Sequence, residues 1–162
     1  MEKEKENSII RSVFKDKLEL VLRIGVFGVF LGHGIFALQG KQTFVEMIQS
    51  MVPVDAATAT SLLFVIGIID ILVAFSVLLK PQKFVLVYAT IWAFMTALAR
   101  ITAGDPVWDF AERAANWAVP LALLLYIQLK SKIRENEKAH ARIAEPSEHP
   151  ESSKEMQSPH ES

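Results

Sequence analysis

Arg23, His33, Asp70 and Arg100 sit inside stretches that are otherwise apolar, and their side chains are the ones best placed for chemistry. A charge or an imidazole within an apolar helix is expensive to bury. Such residues mark ligand sites or proton and ion pathways, or are held by partners. A second concentration lies in residues 104–120, GDPVWDFAERAANWAVP, with Asp105, Trp108, Asp109, Glu112, Arg113, Asn116 and Trp117. Asp109, Glu112, Arg113 and Asn116 fall at i, i+3, i+4 and i+7, the spacing of one helical face. Pro120 continues that face, removes a backbone hydrogen bond and frees the carbonyl of Asn116.

Two readings of these residues stand side by side. His33, Arg100, Asp109, Glu112, Arg113 and Asn116 would form a polar pocket for a small polar ligand, a quinone headgroup or a partner's cofactor. The same residues would also make a structural clamp. Asp109 would pair with Arg113 at i, i+4, and Arg100 would reach Glu112 across the loop. Asp70 is a case by itself. A carboxylate in the middle of an apolar span relays protons or binds a cation, or is kept neutral and hydrogen-bonded to Tyr88, Thr90 or Thr96.

Several chemistries are excluded or lack their residues. There is no cysteine, so disulfides, thiolate nucleophiles and cysteine-ligated zinc or iron–sulfur centres do not arise within this chain. Bis-histidine haem ligation needs a second intramembrane histidine, and His33 stands alone there. His33 is expected instead to donate to an acceptor on the fourth span or its loop. His140, His149 and His160 are scattered through a polar tail and read as solvated. No catalytic residue, metal or intrinsic cofactor is expected, and the net charge of −1 gives no field that points to nucleic acid.

The elements that position these residues are long apolar runs. A span needs about 20 residues to cross a hydrocarbon core of about 30 Å. Residues 20–38, 59–79 and 84–102 qualify, and a shorter run at 114–129 gains length from 110–113 to give a span at about 111–129. In lipid the backbone must satisfy its own hydrogen bonds, so such runs become helices. Gly40 closes the first, Lys80-Pro81 separates the second from the third, and Gly104-Asp105-Pro106 ends the third. Asp105 is the expected N-cap of the next helix, with Pro106 in the first helical position. Between the first two spans, Thr43 and Glu46 fit a capping box. Phe44, Val45, Met47, Ile48 and Met51 recur behind them at helical spacing. A short interfacial helix ending near Pro53 is predicted there.

The predicted fold is therefore all-α, an antiparallel four-helix transmembrane bundle with a short interfacial helix between helices 1 and 2. Residues 1–17 form a polar N-terminal segment, 18–130 the membrane domain, and 131–162 a charged tail, disordered after about 145. The charged start predicts a retained first helix rather than a cleaved signal peptide. Lys and Arg number twelve on the two terminal flanks and the second loop, against three on the other side, so both termini are expected in the cytoplasm. Gly25, Gly28 and Gly32 on the first span and Ala89, Ala93 and Ala97 on the third are small-residue packing surfaces, for neighbouring helices of the same chain or a homo-oligomer.

The run from Arg23 and Gly25 to Gly32-His33-Gly34 opens a longer pattern. Gly67-Ile68-Ile69-Asp70, Pro81 and a Glu-bearing turn after the third span complete it, and over residues 18–130 the whole resembles the DoxX-like family of bacterial four-helix membrane proteins. The resemblance implies a multi-pass protein of the bacterial inner membrane that acts as an accessory or structural subunit of a quinone-linked oxidoreductase system. It implies lipid and a membrane protein as partners, and the absence of cysteine and of a second intramembrane histidine motivates the expectation of no independent catalysis. The fourth span reads AVPLALLLYIQLK rather than the Gly-rich, Asp-terminated ending common in that family, and no catalytic residue is carried over. An alternative from the residues alone is a small-solute or proton-coupled transporter, with Asp70 as the coupling site and the outer-face polar cluster as the entry.

Overall fold

A computed structural model describes the backbone of residues 2–144 and the side chains of residues 16–143. Among them are the helices α1 (Glu2–Leu38), α2 (Gln42–Met51), α3 (Ala56–Leu79), α4 (Lys83–Thr102), α5 (Val107–Glu112) and α6 (Ala114–Ala144), and no strand. The expected disorder after about 145, with His149 and His160, lies outside the described residues. The chain divides into two units, Met1–Leu129 and Lys130–Ser162. In the second, the helical residues 130–143 are solvent-exposed almost throughout, as their charge density requires.

Among the described residues, three segments are long and apolar enough to cross a membrane: Asp16–Leu38 within α1, α3 and α4. Their outward faces carry Leu20, Val21, Ile24, Phe64, Val65, Leu72, Phe84 and Ile91, all exposed. Water would not tolerate so continuous an apolar surface, whereas acyl chains solvate it without penalty. This is a membrane protein whose helices face lipid. The predicted fourth span at about 111–129 is not a single helix. The chain breaks at Arg113 (φ −90°, ψ 8°), so residues 111 and 112 belong to α5 and α6 starts afresh at Ala114. Asn116, Pro120, Tyr126 and Gln128 also dilute its leucines.

Two ends close in the same way. After α1, the N–H of Gly40 reaches the carbonyl of Ala37 (3.0 Å) and that of Lys41 reaches Phe36 (3.1 Å). After α4, Gly104 reaches Ile101 (3.1 Å) and Asp105 reaches Arg100 (3.0 Å). Both are Schellman closures, with the glycine at positive φ (65° and 92°) where a side chain would be strained.

Capping elsewhere departs from the sequence reading. The Thr43–Glu46 box does not form. Lys41 is the N-cap of α2 and makes no side-chain cap, and Glu46 accepts from Gln42 instead (3.2 Å). The Lys41 ammonium sits over the rings of Phe36 (4.6 Å) and Phe44 (5.3 Å), a cation–π link between α1 and α2. Asp105 does not cap α5 either, because Pro106 occupies that position and the Asp105 carboxylate turns back to Arg100.

An unforeseen cap starts α3. The Asp55 carboxylate accepts from the backbone N–H of Thr58 (2.8 Å) and from its hydroxyl (3.2 Å). Those two bonds hold the Asp55 carboxyl below its usual value of 3.8. A depressed folded pKa stabilises above the unfolded value and is lost as pH falls through the folded one. Asp55→Ala should therefore lower the melting temperature in detergent at neutral pH and flatten its fall below about pH 3.8. Asp55→Asn should keep the cap and lose only the acid dependence. Equal acid sensitivity in all three proteins would contradict this assignment.

α1, α3 and α4 run alternately up and down. Phe27 meets Phe75 edge-on (5.4 Å), Gly34 meets Ile71, and Gly40 lies near Thr60, so α1 and α3 are antiparallel. A three-residue turn through Pro81 makes α4 antiparallel to α3. Val26, Phe30, Val73, Ala74, Val77, Leu86, Ala89, Ala93, Leu123 and Leu124 share one buried cluster, so α6 packs with the other three. Lipid gives no hydrophobic drive to this contact, so close van der Waals fit must hold it. The small buried stripe Ala89, Ala93 and Ala97 serves that fit. Of the expected glycine face, Gly25 packs closely, its Cβ position 3.1 Å from Val119 Cγ1 on α6, whereas a Cβ on Gly28 or Gly32 would meet nothing within 4 Å. The tighter approach is Gly34 against Gly67.

Candidate functional site

Asp70 is the one buried charged residue among those described, at 3% exposure, and it lines a cavity of about 120 Å³. The cavity is built by helix periodicity. α4 turns Trp92, Met95, Thr96, Ala99 and Arg100 to it, at i, i+3, i+4, i+7 and i+8. From α3 come Leu63, Ile66 and Asp70, at i, i+3 and i+7. His33 and Ala37 face it from α1, and Phe44, Met47, Ile48 and Met51 close it from α2. Arg113, at the break between α5 and α6, completes the rim. The walls are apolar, and the polar groups stand at two ends.

At the inner end, the Trp92 indole lies near the Asp70 carboxylate. Oδ1 of Asp70 is buried and has no partner. The expected partners are otherwise engaged. Thr90 donates to Leu86 (2.8 Å), Thr96 to Ala93 (3.0 Å), and Tyr88 stacks on Trp92 with ring centroids 6.1 Å apart. A tryptophan deep in an apolar helix needs an acceptor for its N–H, and that was the available signal for Trp92.

At the other end, Arg100 Nη1 donates to Asp105 (3.1 Å), not to Glu112. Arg113 Nη1 donates to the Asp109 carbonyl (3.0 Å) and stands 3.7 Å from the Asp109 carboxylate and 3.6 Å from Glu112. The expected i, i+4 pair is thus present, while the expected crosslink from Arg100 to Glu112 is replaced by the pair with Asp105. The Gly104 turn explains the exchange, because it folds Asp105 back onto the last turn of α4. His33 packs edge-on against Phe44 (6.0 Å) and has no hydrogen-bond acceptor among the described residues, so the expected bond to the fourth span is absent. The charges that act on it are those of Arg100, Arg113 and Lys41.

Of the six residues expected to form a pocket, the cavity takes His33, Arg100 and Arg113. Asp109, Glu112 and Asn116 stand outside it. The break at Arg113 cuts the single helical face they were read to share. Glu112 is 78% exposed on its side chain, and Asn116 bonds through its backbone N–H to Arg113 (2.9 Å). Asp70, read separately from that cluster, joins it through the cavity. No group of three or more His, Asp or Glu placed to hold a metal ion occurs among the described residues. Searches against protein-family models, curated proteins and solved structures return no match.

The arrangement can orient a molecule. It offers an acceptor at one end, guanidinium and imidazole groups at the other, and polarizable Met walls between.

Proposed function

We propose that this chain is a four-span, DoxX-like membrane protein that holds a small ligand and serves as an accessory subunit of a quinone-linked oxidoreductase system. The observation that carries the ligand-holding role is the cavity that gathers His33, Asp70, Arg100 and Arg113 from three helices and a loop. The four-span topology is supported by the packing of Leu123 and Leu124 into the same buried cluster as α1, α3 and α4. The charge bias of its flanks supports both termini in the cytoplasm and the cavity toward the outer side of a bacterial inner membrane. The accessory role and the quinone link rest on the resemblance.

Extraction in a mild detergent from its own membranes, followed by size separation, tests this. A membrane oxidoreductase should travel with the chain and part from it in harsh detergent. A chain that always isolates alone, without partner or bound ligand, overturns the accessory role.

A second reading has an observation of its own. Asp70 lies mid-span in a cavity with one oxygen unpartnered, a setting that suits proton-coupled movement of a small solute. Solute flux under a pH gradient, compared between the parent and Asp70→Asn, tests it.

A further inference from the structure

The cavity's two ends differ in what they demand of a ligand, and together they define a chemical class. The inner end is Asp70 Oδ1, an oxygen without a partner on a side chain only 3% exposed. Leaving such an acceptor dry and unpaired is costly, so a ligand that brings a donor there is favoured. The outer end is cationic toward the cavity. Arg100 is 15% and Arg113 26% exposed on their side chains, whereas their carboxylate partners Asp105, Asp109 and Glu112 lie further into solvent at 38%, 34% and 78%. Solvent screens those acids more than it screens the guanidinium groups. The charges of Arg100 and Arg113 also act on His33 from this end. The protein bonds of both guanidinium groups run through Nη1. Each guanidinium has five N–H donors in a planar fork matched to a carboxylate.

Size and length narrow the class. Trp92, which lies near Asp70, and Arg100 are two turns apart on α4, or about 12 Å along the axis at 1.5 Å per residue. A volume of about 120 Å³ is close to that of cavities that take one benzene ring. The walls from Met47, Met51, Met95 and Ile66 suit a flat apolar body.

We infer that the cavity binds an amphipathic carboxylate of single-ring size whose far end carries a hydroxyl or similar donor. The carboxylate is held by Arg100 and Arg113 and the donor by Asp70 Oδ1. This rests on the ligand-holding part of the proposed function and names the ligand's chemistry. A neutral quinone lacks both features, the anion and the donor.

The test uses the full chain in lipid nanodiscs, read by Trp fluorescence or calorimetry, with three probes. These are para-hydroxyphenylacetate, phenylacetate and para-hydroxyphenylethanol. The first should bind roughly tenfold or more tighter than either of the others, since each lacks one anchoring interaction. Arg100→Gln should erase the preference for carboxylate over alcohol and keep the preference for the hydroxyl. Asp70→Leu should do the reverse. Should a variant fail to fold, the comparison of probes on the unaltered chain decides alone. Equal binding of the three, no binding of any, or tighter binding of a neutral benzoquinone overturns the inference. Absence of probe binding with the oxidoreductase still co-purifying would leave the accessory role standing. Probe binding by a chain that isolates alone would remove the accessory role and keep the ligand class.

Discussion

Gly67→Leu should destabilise this protein by roughly 3 kcal/mol or more, at the upper end of what overpacking costs. A Cβ at Gly67 would lie 2.9 Å from the Gly34 carbonyl oxygen, 3.0 Å from Leu38 Cγ and 3.1 Å from Ala37 Cβ. The first of these contacts is with backbone and cannot rotate away. At Gly34 a Cβ would meet the Gly67 carbonyl at 2.9 Å and Ile71 Cγ1 at 2.7 Å. The two glycines face each other, so α1 and α3 approach almost backbone to backbone. Pushing them apart would also displace His33, one residue before Gly34, from the cavity. The measurement is unfolding in a detergent titration, with Gly28→Ala and Gly32→Ala as controls. Nothing lies within 4 Å of a Cβ at either control site, so both should stay within about 0.5 kcal/mol of the parent. A control as damaging as Gly67→Leu would mean that the glycine contact is on the other face of α1.

The contrast between those glycines marks the limit of what a membrane sequence conveys. Residues 20–38, 59–79 and 84–102 announce themselves because a hydrocarbon core demands length and apolarity, and both are visible in one dimension. The turns at Gly40 and Gly104 are legible because positive φ favours one residue type. Which face of a membrane helix meets protein is not legible in the same way. Lipid and protein interior are equally apolar, so the buried Leu63 and the exposed Leu62 look alike. α3 is apolar all round, and only Asp70 and Gly67 betray its inward side. Hence His33, Arg100, Arg113 and Asp70 could be picked out as anomalies, whereas Met47, Met51 and Ile66 could not. The misplacement of Asp109, Glu112 and Asn116 has another cause. Their shared face assumed an unbroken helix, and a break at a single residue, Arg113, ends the phase that placed them together.

Asp70→Asn should raise stability, by roughly 1–2 kcal/mol, while impairing function. Burying a carboxylate with one oxygen unpartnered is unfavourable, and a neutral amide of the same shape relieves most of that cost. The amide has the shape of the carboxyl, so the local packing against α4 is kept. A charged residue that weakens the fold at mid-span points to a role other than folding. The measurement is the melting temperature of both proteins in one detergent, paired with solute flux in proteoliposomes under an imposed pH gradient. A stabilised Asn variant with pH-driven flux abolished would favour the transporter reading. The parent showing no flux, with the Asn variant stabilised, would leave Asp70 as a ligand anchor alone. Loss of stability in Asp70→Asn would mean that the carboxylate is held by interactions the Trp92 contact does not supply, and both functional readings of Asp70 would fall.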